Sequence, residues 1–218
     1  MSLKRGALIV IEGVDRSGKS TQCKKLVKSL QNRGIKAKLM NFPDRSTHTG
    51  GLINKYLTDK SCSLNDKAIH LLFSANRWES YDRMNDLLNQ GFTLIVDRYS
   101  YSGIAFSSVK KHMDINWCKQ PEIGLLKPDL VLLLTLSDEE MLKRPGFGEE
   151  RYENINIQKS VKEVFNNLAY NEDNWKVMDA GGTIEDVHEK LLIEVLNKLK
   201  EVETSPLQHL NFYNKKLI

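Results

Sequence analysis

Short runs of uninterrupted apolar residues alternate along this chain with longer stretches of helical period. Residues 7–11, 35–40, 93–96, 130–136 and the weaker 176–178 read as strands. Those that are apolar throughout rather than alternating, such as 7–11, mark strands buried on both faces. Between them, 20–32 reads as a helix closed by Gly34, 50–58 as a second, and 65–90 as one long helix stopped by Gly91. Helical patterns also cover 138–143, 155–170 and 184–200. Buried strands alternating with helices predict an α/β fold, a parallel sheet covered on both sides. No repeat, low-complexity tract or Pro/Gly-rich linker interrupts the pattern, so residues 1–218 read as one domain. The stretch 202–218 has no clear period and is expected to pack on the surface.

Composition narrows the function classes. Lys and Arg total 32 against 28 for Asp and Glu, a formal net charge of +4. That surplus suits a pocket for phosphates but not the dense basic stripe of a dedicated nucleic-acid binder, so no nucleic-acid partner is expected. Cys23, Cys62 and Cys118 are odd in number and scattered, fitting neither a disulfide framework nor a zinc site. The five histidines show no metal-ligand spacing. The apolar runs are too short for a signal peptide or a membrane span, so a soluble, cytoplasmic protein with no membrane association is expected.

The chemistry begins after the first strand. Gly13-Val14-Asp15-Arg16-Ser17-Gly18-Lys19-Ser20 has the P-loop spacing of Gly, four residues, Gly-Lys-Ser. Its glycines let the loop curl until successive backbone N–H groups face phosphate oxygens. Lys19 can then reach the β- and γ-phosphates, Ser20 can offer a hydroxyl to Mg²⁺, and the next helix turns its positive end to the anion. A strand entering and an amphipathic helix leaving favour this over a chance glycine turn. Asp15 and Arg16 are unusual inside such a loop. Arg16 could lie over a transferred phosphoryl as a built-in arginine finger, and Asp15 could face a sugar hydroxyl. A solvated ion pair at the loop tip is the bland alternative.

Further residues gather around the same ligand. Asp97-Arg98-Tyr99 ends the third strand, where an acid can hold Mg²⁺ through water and Arg98 can reach an acceptor phosphate. A charged pair merely closing a strand would look the same. On the long helix, Ala68, Leu71, Leu72 and Ala75 form the expected core stripe. Phe73 and Arg77, one turn apart and off that stripe, could present a ring and a guanidinium to one planar base. Arg77 would favour the O4 of thymine or uracil over the amino group of cytosine. A second packing face with a surface arginine fits the pattern equally well. Arg45, after Phe42-Pro43-Asp44, lies in a loop expected at the ligand crevice. Residues 143–152, charged and with two glycines, suit a mobile lid, or simply a solvated loop.

Taken together, several stretches resemble thymidylate kinase of the eukaryotic type, with an arginine in the P-loop. They are 13–20, Phe42-Pro43-Asp44-Arg45-Ser46-Thr47, Leu71-Leu72-Phe73-Ser74-Ala75-Asn76-Arg77-Trp78-Glu79, Asp97-Arg98-Tyr99 and Lys127-Pro128-Asp129-Leu130. The likeness runs in order over nearly the whole chain and fades in the tail. It implies a P-loop nucleoside-monophosphate kinase architecture, a five-stranded parallel sheet flanked by helices, with a lid at about 138–153. The implied reaction is phosphoryl transfer from ATP to dTMP, giving ADP and dTDP, with Mg²⁺ held by Ser20 and Asp97. Asp15 would hold the 3′-hydroxyl of dTMP, and Arg45 and Arg98 its 5′-phosphate. Phe73 would stack on thymine, Arg77 face its O4, Phe106 crowd a ribose 2′-hydroxyl and Tyr152 close the site. Phe42, Pro43, Leu57 and Gly103 complete the dTMP pocket by the same resemblance. Lys19 and Arg16 would stabilise the transferring phosphoryl, with Asp97 and Arg98 beside them. Gly13, Ser17, Gly18, Ser20 and Thr21 would bind ATP phosphates, and Arg144 would lie by adenine. With its arginine in the P-loop, such an enzyme relies less on lid arginines. Family members are commonly homodimers packed through helices that include the long one. Pro145 stands where a glycine is expected in the lid, and the tail 207–218 matches no family motif.

Three rival readings fit the sequence less well. A kinase for UMP or CMP is disfavoured by Arg77 and Asp15. A regulatory GTPase needs an Asn-Lys-x-Asp guanine motif, which the sequence lacks, and beyond the P-loop itself its Asp-x-x-Gly pattern occurs only at 179–182, after the last strand. A binding module without catalysis would not need Arg16, Lys19, Ser20, Asp97 and Arg98 together.

Overall fold

The computed structural model describes residues 4–144, 147–170, 172–202 and 204–212. Five strands, β1 (Leu8–Gly13), β2 (Ala37–Asn41), β3 (Thr93–Asp97), β4 (Leu130–Thr135) and β5 (Trp175–Asp179), form one sheet in the order β2-β3-β1-β4-β5, with every pairing parallel. The apolar continuity of the three inner strands, β3, β1 and β4, has a direct cause. Side chains alternate across a strand, and both faces are covered. Leu8, Val10, Leu94, Val96, Val131 and Leu133 belong to one buried cluster, and Ile9, Ile11, Ile95, Leu130, Leu132 and Leu134 to another.

Helix α1 (Lys19–Gln31) sends Cys23, Leu26 and Leu30 into the second cluster, joined by Val187, Leu191 and Val195 of α9 (Ile184–Val202). The first cluster takes Met84 and Leu88 of α4 (Tyr81–Asn89), Tyr101 and Ile104 of α5 (Ser100–Ser108), and Val161 and Phe165 of α8 (Ile155–Tyr170). Helices α2 (His48–Thr58) and α3 (Asp66–Trp78) pack on each other and bury Ile53, Tyr56, Leu57 and Ile69. Short α6 (Ile115–Lys119) and α7 (Asp138–Leu142) complete the set among the described residues. Strand β1 is central, with β3 and β2 on one side and β4 and β5 on the other, so the loop after β1 opens at the carboxyl edge where ligands bind in such sheets.

Three expectations are corrected. The long helix 65–90 is two helices. At Glu79 and Ser80 the backbone turns, Ser80 N–H donating to the Arg77 carbonyl at 3.1 Å in place of the residue four back. Its core stripe is also different: Ala68 and Leu71 are exposed, and Ile69, His70, Ser74, Asn76 and Arg77 are buried instead. Apolar period misleads here because the inward face is polar and satisfied. His70 pairs with Ser107 Oγ at 2.8 Å and the Cys118 carbonyl at 3.0 Å, and Ser74 donates to the Pro121 carbonyl at 2.9 Å. The tail does more than lie on the surface. Leu210 is buried, and Leu126 and His209 form an antiparallel bridge. Helix α5 escaped prediction because it is buried on nearly every side and shows no amphipathic stripe. Pro145 lies outside the described residues.

Candidate active site

The P-loop leaves β1 at Gly13, where a β-carbon would lie 2.4 Å from the Leu134 carbonyl oxygen on the neighbouring strand. Only glycine fits that approach, at φ +141°. Arg16 holds φ 61° and Arg98 φ 65°, left-handed values that cost a non-glycine residue about 1–3 kcal/mol each and gather at functional sites. Lys19 is buried and donates to the Val14 carbonyl at 2.6 Å and to Ser17 Oγ at 3.3 Å. Burial, and then the nearby Arg98 charge, lower its pKa to about 8. Ser20 donates through a short hydrogen bond to the Asp97 carboxylate. A hydroxyl and a carboxylate at a phosphate loop are hard oxygen donors of the kind Mg²⁺ takes beside substrate phosphates, so the residues fit that ion.

Two cavities meet at this edge. The first, about 610 Å³ of empty space partly open to solvent, is lined by Asp15, Phe42, Pro43, Arg45, Leu57, Phe73, Arg77, Arg98, Gly103, Phe106 and Tyr152, together with Tyr99, Ser102, Ser107 and Glu150. Every residue expected around dTMP is therefore in one wall. The second and wider cavity is lined by Arg16, Gly18, Lys19, Ser20, Thr21, Asp97 and Arg144, and shares Asp15, Arg45 and Arg98 with the first. Gly13 and Ser17, expected at the ATP phosphates, are not among its lining residues. Both are buried behind the loop.

The first cavity is built by hydrogen bonds from several elements. Arg98 donates to Asp15 through a short bond, to the Gly13 carbonyl at 3.1 Å and to Ser102 Oγ at 3.0 Å, and its guanidinium lies 5.2 Å from the Phe106 ring centroid. Arg45 bridges Asn54 of α2 and Glu150 of the lid, each at 2.8 Å. Tyr152 packs on Phe106, with centroids 5.5 Å apart, and on Tyr56 at 6.2 Å. Arg77 is not a surface arginine. It is buried against Glu122, its Nε donating to Oε2 at 2.7 Å and its Nη2 to Oε1 through a shorter bond.

The other charged lid residues divide their work. Arg144 lines the second cavity, whereas Arg151 donates to the carbonyls of Tyr56, Asp59, Lys60 and Cys62 at the end of α2. Arg151 thus fastens the lid, a favourable place for a cation at a helix carboxyl end.

Several supporting residues were not anticipated. Glu12 is fully buried and accepts from the N–H groups of Tyr99 and Ser102 and from the Ser102 hydroxyl; burial raises its pKa. An acid inside an apolar strand was the signal available. Gln158 accepts from Asp15 N–H at 2.8 Å and donates to Asp15 Oδ2 at 2.6 Å and to the Tyr152 carbonyl at 2.8 Å. It occupies the inward stripe of Val161, Phe165 and Leu168 one turn early, where a polar residue is out of place. Asn76 secures the Arg45 loop, accepting from Asp44 N–H at 2.7 Å and donating to Thr47 Oγ1 at 2.9 Å. Glu122, in a three-residue 3₁₀ turn, had no sequence signal.

Comparison with known proteins agrees with this geometry. The family model described as thymidylate kinase matches residues 11–191. The thymidylate kinase of Arabidopsis thaliana is 52% identical over 93% of this chain and 76% of its own length, and that of Homo sapiens 47% identical over 96% and 99%. A solved structure of thymidylate kinase from Candida albicans, 44% identical, superimposes with a TM-score of 0.86 over 95% of this chain and 99% of that one. With the family model spanning most of the sequence and relatives near half identical along nearly all of it, this chain belongs to the thymidylate kinase family.

Proposed function

We propose that this protein transfers the γ-phosphoryl group of ATP to the 5′-phosphate of dTMP, giving dTDP and ADP, with dTMP in the narrower cavity and ATP in the wider one. The observation that carries the reading is that one cavity wall holds a ring (Phe73), a buried guanidinium (Arg77), a sugar-side carboxylate (Asp15) and two cations (Arg45, Arg98), and opens directly onto the P-loop.

In this reading Arg45 and Arg98 bind the 5′-phosphate, Asp15 the 3′-hydroxyl, and Phe73 stacks on thymine. Arg77 donates to O4, Phe106 leaves no room for a 2′-hydroxyl, and Tyr152 closes over the sugar. Phe42, Pro43, Leu57 and Gly103 form the apolar wall. The P-loop backbone from Gly13 to Thr21 cradles the ATP phosphates, Lys19 and Arg16 neutralise charge on the moving phosphoryl, and Arg144 lies by the adenine. Ser20 and Asp97 would hold Mg²⁺, which would supply positive charge to offset that of the phosphates. No general base is required, because the acceptor phosphate is itself an ionised nucleophile, so catalysis is positioning and charge neutralisation.

The enzyme acts on small molecules, and we assign it a homodimeric state supported by Leu52 and Leu71, exposed on the adjacent helices α2 and α3. The free cysteines Cys23, Cys62 and Cys118 fit a reducing, cytoplasmic setting.

The test is ADP formation from ATP and Mg²⁺ with dTMP, dUMP, UMP, CMP and AMP as separate acceptors. Clear preference for dTMP is expected. Comparable turnover of UMP would remove Phe106 from its role, comparable turnover of CMP would remove both Phe106 and Arg77, and no turnover with any acceptor would make the protein a binding module.

A further inference from the structure

Arg77 reaches the base pocket from a buried position, and what it offers a ligand depends on how its guanidinium is held. Two of its nitrogens, Nε and Nη2, are engaged by the two oxygens of Glu122, a carboxylate with no solvent exposure. The paired geometry fixes the guanidinium plane, since a two-point fork permits one orientation where a single contact permits many. The guanidinium also lies on Gly103 of α5: a β-carbon there would stand 2.5 Å from Nη2 and 3.1 Å from Nη1. Clamped at one edge and backed by helix backbone, Arg77 has Nη1 left for a ligand in the cavity it lines.

Glu122 is itself held from two sides. On one side α3 grips the turn, Ser74 Oγ and Trp78 Nε1 both donating to the Pro121 carbonyl, at 2.9 and 2.8 Å. On the other side the carboxyl-terminal segment pairs with the residues that follow the turn. Gly124 N–H donates to the Leu210 carbonyl at 3.0 Å, Leu210 N–H to the Leu125 carbonyl at 2.7 Å, and Lys127 N–H to the Gln208 carbonyl at 2.7 Å. Residues 208–210 lie beyond the stretch matched by the family model.

We infer that Glu122 is the positioning residue for base selectivity: by fixing Arg77 as a donor-only edge in the pocket, it makes the site accept a 4-oxo pyrimidine and refuse a 4-amino one. The inference rests on the dTMP reading of the cavity. A base carrying O4 accepts from Nη1, whereas an amino group at that place meets a donor with a donor in a buried site, the kind of mismatch that discriminates strongly. Glu122 touches no substrate in this arrangement and acts through Arg77. Replacing the carboxylate by a carboxamide sets an NH₂ against a guanidinium N–H, so the fork opens and the edge is free to turn.

The experiment compares kcat/KM for dTMP and dCMP in the wild type, Glu122→Gln and Glu122→Asp, together with the KM for ATP. The aspartate keeps the buried charge paired but draws the carboxylate back by one methylene, so it carries the test if the glutamine variant does not fold. Expected is a rise of tenfold or more in KM for dTMP, a fall of tenfold or more in the dTMP-to-dCMP ratio, and a kcat and a KM for ATP within threefold of wild type. A merely structural role would lower all parameters together and leave the ratio alone. A ratio within threefold of wild type in the folded variants overturns the role of Glu122. A wild type with no preference for dTMP overturns the reading of the pocket, and this inference with it.

Discussion

Glu153 of the lid accepts the Arg16 Nε–H of the P-loop at 2.7 Å on Oε1, while its other oxygen accepts the backbone N–H groups of Gly148, Glu149 and Glu150 at 2.9–3.1 Å. The lid turn and the arginine therefore use different oxygens of one carboxylate. Arg16 can leave Glu153 without dismantling the turn, and on the proposed reading it would do so for a phosphate of ATP. Glu153 also raises the Arg16 pKa through this bond, so the group stays charged throughout.

Arg16→Ala is expected to lower kcat by about 10³ or more, the scale on which an arginine finger acts in phosphoryl transfer. Steady-state rates at saturating ATP and dTMP measure this directly. A fall of less than tenfold would take Arg16 away from the moving phosphoryl and leave it a structural partner of Glu153 and Glu149.

Phe73 is half-buried and lines the first cavity, proposed for dTMP, whereas the second, proposed for ATP, does not include it. Phe73→Ala should raise KM for dTMP by about tenfold or more, since stacking on an aromatic ring is worth about 1–3 kcal/mol per base. ATP affinity should hardly change. Titration of each nucleotide separately decides it: equal weakening of both would mean that the ring only packs the α2–α3 contact.

How far the sequence reaches depends on how local each signal is. The P-loop was legible because its glycines, lysine and serine are contiguous and stand between a buried strand and an amphipathic helix. The sheet was legible because strands covered on both faces are apolar over most of their length, as β1 is up to Ile11 and β4 up to Leu134. Helix α3 was misread at its core stripe because His70, Ser74 and Arg77 are buried with partners on α5, α6 and the turn after it, and no local pattern reports partners about forty residues away. Glu122 is the extreme case: a carboxylate in a Gln-Pro-Glu turn looks solvated until Arg77 is seen beside it. Pairwise burial of opposite charges is a property of the fold, not of either segment.

Lys19 yields a prediction whose sign follows from its environment. In the unliganded fold its pKa falls from 10.5 to about 8, chiefly through burial and then through Arg98. The unfolded chain therefore holds this proton to higher pH than the folded one, so the contribution of Lys19 to stability is unfavourable below pH 8 and improves as the pH rises from about 8 to 10.5. Lys19→Met should accordingly stabilise the unliganded protein at pH 7, by up to about 3 kcal/mol at 1.36 kcal/mol per unit, while abolishing turnover. On the proposed reading the phosphates of ATP would reverse the balance, restoring the lysine to its charged form. ATP binding at pH 8.5 should therefore take up more than half a proton relative to Lys19→Met, and the difference should vanish at pH 7. Calorimetry in two buffers of different ionisation enthalpy measures the uptake. If the variant took up as many protons as the wild type, the titrating group would lie elsewhere, and Lys19 would lose its place against the phosphates.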